Sequence, residues 1–154
     1  FARNVLNIKN AGSSELDKKC NSVVGLIDEW NKNGKIFKGT STKLGGTMRL
    51  GLYPAKLQHN SLIKSIYKSK IIYERHRHRY EVNINMKKKF EKKGLLFSGL
   101  SPDNNLPEII ELKSHTWFIG VQFHPEFKSR PLDPHPLFSS FIRAAKKTNE
   151  KSNN

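Results

Sequence analysis

An apolar run, Trp117–Phe118–Ile119–Gly120–Val121, leads straight into Gln122–Phe123–His124–Pro125–Glu126–Phe127. Pro125 has no N–H to give a ladder, so a strand through the apolar run stops beside His124. Ligands and reacting groups in open α/β sheets gather at the carboxyl ends of strands. His124 and Glu126 are two apart and share one side of an extended backbone. A carboxylate beside an imidazole fixes its tautomer and steadies the imidazolium, as an oriented general base requires. The plainer alternative is a strand-end histidine with a surface glutamate. Spacing alone leaves both open.

A second run, Glu74–Arg75–His76–Arg77–His78–Arg79–Tyr80–Glu81–Val82–Asn83, alternates by residue type. Extended, it puts Glu74, His76, His78 and Tyr80 on one face and the three arginines on the other. Two histidines at this spacing, joined by His124, have the makings of a zinc site. The interleaved arginines work against a dication, so no metal site is expected. Cys20 is the only cysteine, which excludes an internal disulfide framework and a cysteine-rich zinc site. Lys18 and Lys19 would favour its thiolate, but it lies in a polar stretch before a strand, with no tight strand-to-helix turn to activate it. An incidental loop cysteine is the expectation.

The elements that must position these groups follow from periodicity. Residues 1–12 read as the end of a helix with Phe1, Val5 and Ile8 on one face and Gly12 as its stop, and a helix without a capped start suggests a piece of a longer chain. Val23–Ile27 reads as a strand, closed by Asp28–Glu29–Trp30 and a turn at Asn31–Gly34. Ser61–Tyr67 is expected to be a short helix with Ser61 near its start and Leu62, Ile63 and Ile66 inward. Residues 71–82 are expected to be extended, and 84–93 a basic amphipathic helix stopped by Gly94. Strands are expected at 95–99, 108–112 and 115–123, and a closing helix over 136–147 begins with Pro136. The polar residues 148–154 are expected to fray.

The chain has 154 residues, 36% of them apolar and 27% charged, enough for one domain with a real core. No apolar stretch is long enough to span a bilayer, and no secretory signal opens the chain. A soluble, reducing-compartment domain is expected. The net charge of +15 comes from 28 lysines and arginines against 13 acids, and a balance this basic invites a nucleic-acid partner. Lysine outnumbers arginine 21 to 7 and the charge is scattered. Basic–aromatic interleaving is absent, so no nucleic-acid partner is expected. A basic nucleic-acid-binding module remains the alternative.

Several segments together resemble one family. Leu44–Gly45–Gly46–Thr47–Met48–Arg49–Leu50–Gly51, the Glu74–Asn83 run, Gly120–Phe127 and Ser129–Phe138 occur in this order. They resemble the C-terminal part of the class I glutamine amidotransferase domain of the CTP synthases, from Phe1 to Ala145. The resemblance implies an α/β fold with a class I amidotransferase-like sheet flanked by helices, N-terminally truncated. It implies a partial glutaminase domain over 1–147 and a polar tail over 148–154. His124 and Glu126 match the general base and its orienting carboxylate. Glu15 and Arg79 match residues of the glutamine pocket, although Ala11–Gly12–Ser13–Ser14–Glu15 departs from the family's usual Asn-Ser-Thr-Glu-Phe. Arg49 lies in the segment associated with GTP activation.

The family's reaction is the ATP-dependent amination of UTP to CTP, with glutamine or ammonia as nitrogen donor. Its nucleophilic cysteine sits in a Gly-x-Cys-x-Gly elbow upstream of the match to Phe1, and Cys20 does not align with it. The chain alone is therefore expected to be inactive and to bind no cofactor. UTP, ATP and Mg2+ belong to a synthase domain outside this chain, GTP acts as an allosteric activator, and the intact enzyme is a cytoplasmic homotetramer.

Overall fold

In the computed structural model, which describes residues 1–26 and 48–152, strand β4 (Ile71–His78) shows the expected alternation. Ile72, Glu74 and His76 are buried, whereas Ile71, Tyr73, Arg75 and Arg77 are exposed. Earlier in the chain, β1 (Ala11–Ser13) and β2 (Asn21–Leu26) run parallel, and β2 pairs antiparallel with β5 (Tyr80–Val82) in a small three-stranded sheet. The larger sheet has the order β4-β3-β6-β7-β8, with β3 at Arg49–Leu57, β6 at Leu95–Leu100, β7 at Pro107–Leu112 and β8 at Ile119–Val121. Its neighbours are all antiparallel.

Two apolar clusters cover the two faces of this larger sheet. On one face Ala55, Leu57, Ile72, Ile109 and Phe123 pack with Ile63 of α1 (Leu62–Tyr67) and Leu137 of α3 (Pro136–Ser152). On the other, Leu95, Phe97 and Ile110 pack with Ala11, Val23 and Val82 of the small sheet and Phe90 of α2 (Lys87–Glu91). Neighbouring Ile109 and Ile110 therefore serve opposite clusters, as the two-residue period of a strand requires. The result is an α/β fold with one small mixed sheet, one larger antiparallel sheet and flanking helices.

The helix over 62–67 forms as expected. Ser61 has extended backbone and its hydroxyl accepts the Lys64 N–H. Buried Glu111 accepts the next free donors, Leu62 N–H and Ile63 N–H, both at 2.9 Å. Five other expectations are corrected. The opening residues make a single turn, with Val5 N–H on the Phe1 carbonyl at 2.9 Å. Positive φ at Asn7 (52°) and Asn10 (55°) prevents a helix from continuing, and Gly12 lies inside β1.

The run 71–82 is two strands in different sheets, with Arg79 at the break. The basic helix is also divided. Asn83 caps a 3-10 turn over Ile84–Met86, accepting the Asn85 N–H, before the five residues of α2. Gly94, at φ +92°, still ends that stretch. The strand expected over 115–123 forms only at 119–121, because His115 N–H turns back onto the Leu112 carbonyl at 3.0 Å. Helix α3 continues to Ser152, past the tail expected from 148. The expected Trp30 closure, the turn at Asn31–Gly34 and residues 44–47 of the glycine-bearing segment lie outside the described residues. Among the described residues, no helix is long and apolar enough to cross a membrane.

Candidate active site

His124 is fixed by its backbone before its side chain does anything. Past β8, Gln122 N–H still bonds the Glu108 carbonyl, at 2.9 Å. Phe123 is buried in the core and meets the His76 ring edge-on at 5.9 Å. His124 N–H then bonds the Arg75 carbonyl of β4 at 2.9 Å, spanning from the end of β8 to the sheet's other edge strand. Pro125, lacking an N–H, begins a 3-10 turn over Pro125–Lys128.

The imidazole Nδ1 lies 2.8 Å from Glu126 Oε1, and Phe127 stacks on the ring at 5.1 Å. The His124 and Glu126 side chains are 38% and 55% exposed. Pairs this exposed contribute little to stability, so what the contact supplies is orientation. With Nδ1–H donating to the carboxylate, Nε2 carries the lone pair that can take a proton. The Glu126 backbone N–H, and then the His124 ring, hold the Glu126 carboxyl below its usual range.

Near this pair lies a ring of buried polar groups, open at one point. Arg49 Nη1 donates to Glu108 Oε1 at 2.6 Å and lies 3.4 Å from Glu81 Oε1, with its guanidinium over the Tyr53 ring at 4.5 Å. Glu81 faces His78 Nδ1 at 3.4 Å and accepts the Gln122 side-chain N–H at 2.9 Å. His78 Nε2 and His76 Nδ1 are 2.8 Å apart. His76 Nε2 lies 3.7 Å from Glu108 Oε2, beyond hydrogen-bond distance, and neither atom has another partner, so the arrangement stays open at this one point. Burial, then Arg49, pushes His78 down to about 4; burial, Arg49, His78 and His124 push His76 down to about 3. Burial pushes Glu81 up to about 7 against the pull of Arg49. The two histidines are thus neutral at neutral pH, with their facing nitrogens spent on each other. Among the described residues, no group of three or more His, Cys, Asp and Glu could hold a metal ion.

The remaining expected residues sort by their place in the small sheet. Ser13 pairs with Val24 and Val24 with Val82. From that row β1 and β2 run on toward Glu15 and Leu26, while β5 begins at Tyr80, directly after Arg79. Glu15 and Arg79 therefore leave the same end of this sheet, Glu15 in an exposed turn and Arg79 half-buried. Gln122, two residues before His124, reaches the same end through Glu81. Arg49, by contrast, is buried, with its guanidinium held by the ring. Cys20 precedes β2 at the opposite end, about 20 Å of strand from the Leu26–Tyr80 row.

Residues 11–144 match the family model described as glutamine amidotransferase class-I. This chain belongs to the class-I glutamine amidotransferases. Among curated relatives, it is 75% identical over 146 residues to the CTP synthase of Pelagibacter ubique and 59% identical over 147 residues to that of Hyphomonas neptunium. These alignments cover 95% of this chain and 27% of each relative, so the chain spans about a quarter of their length. Among solved structures, the Trypanosoma brucei CTPS glutaminase domain with bound acivicin superimposes with a TM-score of 0.79 at 36% identity. That match covers 95% of this chain and 54% of the other.

Within this class-I amidotransferase, sequence reasoning missed the residues that hold His124 from behind. Glu108 is expected only as part of the 108–112 strand, His135 only as one position of the Ser129–Phe138 match, and Lys128 carries no expectation. The available signal was Glu108 and Glu111 in an otherwise apolar run, Pro107–Leu112. Acids inside a buried strand require cationic or N–H partners.

Proposed function

We propose that this chain supplies the His–Glu part of the glutaminase site of a CTP synthase. The observation that carries the reading is the His124–Glu126 contact at 2.8 Å, with Nε2 open on a half-exposed ring. Its close similarity to CTP synthases supports the reaction class. In this reading Glu15 and Arg79, at the shared end of the small sheet, receive the amino-acid end of glutamine. A thiol from another part of the longer protein attacks the side-chain amide carbon, since Cys20 lies at the wrong end of β2. His124 Nε2 takes the thiol proton and passes it to the departing ammonia, leaving a thioester that water hydrolyses. Glu126 holds the ring and steadies its charged form.

The released ammonia would aminate UTP at the expense of ATP in the remaining part of the protein, where Mg2+ would also be held. GTP activation, assembly as a homotetramer and a cytoplasmic location belong to that same proposal. For Arg49 the buried geometry favours an indirect part in any GTP response, through the ring it anchors.

The test is CTP formation by the full-length enzyme with each nitrogen donor, at a pH that supplies free ammonia. His124→Ala is expected to lower the glutamine-dependent rate by about 10²–10⁴-fold and leave the ammonia-dependent rate largely intact. Equal loss with both donors would make His124 a folding or coupling residue instead.

A further inference from the structure

The turn that carries His124 and Glu126 is tethered on its far side by a second buried cluster, centred on Glu74. Glu74 is 1% exposed in the middle of β4, one residue before the Arg75 carbonyl that receives His124 N–H. Its Oε1 gathers three groups from three elements: Tyr67 Oη of α1 at 3.0 Å, His135 Nε2 at 3.1 Å and Lys128 Nζ at 3.4 Å. Lys128 is the last residue of the 3-10 turn, and its Nζ also donates to the Tyr73 carbonyl at 2.6 Å. His135 closes the following loop, where its N–H bonds Ser129 Oγ at 3.0 Å. Oε2 of Glu74 has no partner.

A buried carboxylate in this position is costly unless its partners hold it. Burial would raise the Glu74 carboxyl, but the His135 hydrogen bond and charge, then Lys128 and Tyr67, outweigh it and hold the group ionised. Two contacts therefore fix the turn to β4: the His124 N–H at its start and the Lys128 ammonium at its end. Glu126 lies between them, and its carboxylate sets the imidazole.

We infer that Glu74 is a positioning residue for the glutaminase base, acting through Lys128 and His135 to hold the Pro125–Lys128 turn against β4. This rests on the reading of His124 as that base. Loss of the tether lets the turn shift by a fraction of an ångström, which misaligns the proton acceptor without touching the glutamine pocket.

The experiment compares full-length enzyme carrying Lys128→Met, Lys128→Arg, Glu74→Gln or His124→Ala, assayed with glutamine and with ammonia. Lys128 is 40% exposed and its replacement leaves Tyr67 and His135 on Glu74, so Lys128→Met is expected to cost less stability than Glu74→Gln. Lys128→Met is expected to lower kcat with glutamine between about 10- and 100-fold, the range that small misplacements produce. KM for glutamine and the ammonia-dependent rate stay unchanged, and Lys128→Arg restores most of kcat. A purely structural tether would lower both donor rates together as folded enzyme is lost. That parallel fall, or an unchanged kcat in Lys128→Met, overturns the inference. Full glutamine-dependent activity in His124→Ala would remove the reading of the base and this inference with it.

Discussion

Two histidine–carboxylate arrangements are joined through the contact of Phe123 with the His76 ring, and they differ in nearly every physical respect. His124 and Glu126 form one 2.8 Å contact at the surface, with a ring nitrogen left for chemistry. His76 and His78 sit in a ring with Glu81, Glu108 and Arg49, where Arg49, Glu81 and Glu108 are almost fully buried and the histidine nitrogens face one another. Both pairs are two residues apart in sequence, but His76 and His78 lie on one extended strand, whereas Glu126 lies in the 3-10 turn that follows the extended His124. What separates them is burial and how many partners already claim them. A base needs an open lone pair, whereas a buried polar ring is stable only when few of its atoms are left open.

The largest effects should cross over between the two regions. His124→Ala should lower glutamine-dependent turnover about 10²–10⁴-fold while changing stability by no more than about 1 kcal/mol, as expected for an exposed pair. Arg49→Met should do the reverse. It strands two buried carboxylates, and removing one partner of a buried ion pair costs about 3–5 kcal/mol. Urea unfolding of the two variants, alongside the two donor assays, checks both halves. A stable Arg49→Met protein would mean that Glu81 and Glu108 take up protons and need no arginine. Next in size, Glu126→Ala should lower glutamine-dependent activity less than His124→Ala, because it orients the base and carries no proton.

The two regions were not equally legible in the sequence. The closeness of His124 and Glu126 followed from their spacing, but the expected extended backbone did not form, because Pro125 begins a 3-10 turn that carries Glu126. Likewise, the division of β4 into two faces followed from strict alternation, although which face turns inward did not. The ring could not be read, since Arg49, Glu81 and Glu108 meet only when β3, β5 and β7 come together from positions up to 59 residues apart. Nor could the break at Arg79 be read, because continuous strand-forming residues do not say which sheet each half will join. Side-chain capping by Asn83 likewise overrode a helical pattern that periodicity alone supported.

Acid titration sharpens the contrast further, because opposing groups share the ring. The depressed histidines contribute stability that is present above their ordinary value of 6.5 and is lost as pH falls through about 4 and then about 3. Glu81, raised from 4.5 to about 7, contributes stability that is present below 4.5 and is lost as pH rises through about 7. Between 4.5 and 6.5 the two slopes oppose. Glu81→Gln removes one of them, so its stability should rise more steeply with pH over this interval, by at most about 1.4 kcal/mol per pH unit. Urea midpoints at several pH values in both proteins provide the check, and parallel curves would show that Glu81 titrates normally.

The smallest expected effect belongs to the residue with the most reactive chemistry. Cys20 is a free thiol packed against Gly12, where a Cβ on the glycine would come within 3.0 Å of the cysteine Cβ. It enters β2 at the end remote from Gln122 and His124, so no proton can pass directly between its thiol and the imidazole. Serine is close to isosteric, and Cys20→Ser should change neither the unfolding midpoint nor the glutamine-dependent rate of the full-length enzyme beyond about 0.5 kcal/mol or its equivalent in rate. The same reasoning predicts that residues 1–154 alone release no ammonia from glutamine, because His124 has no thiol within reach. Ammonia release by residues 1–154 that vanished with Cys20→Ser would place a working nucleophile at the wrong end of the small sheet. The assignment of His124 as a base for a thiol from elsewhere in the protein would then have to be abandoned.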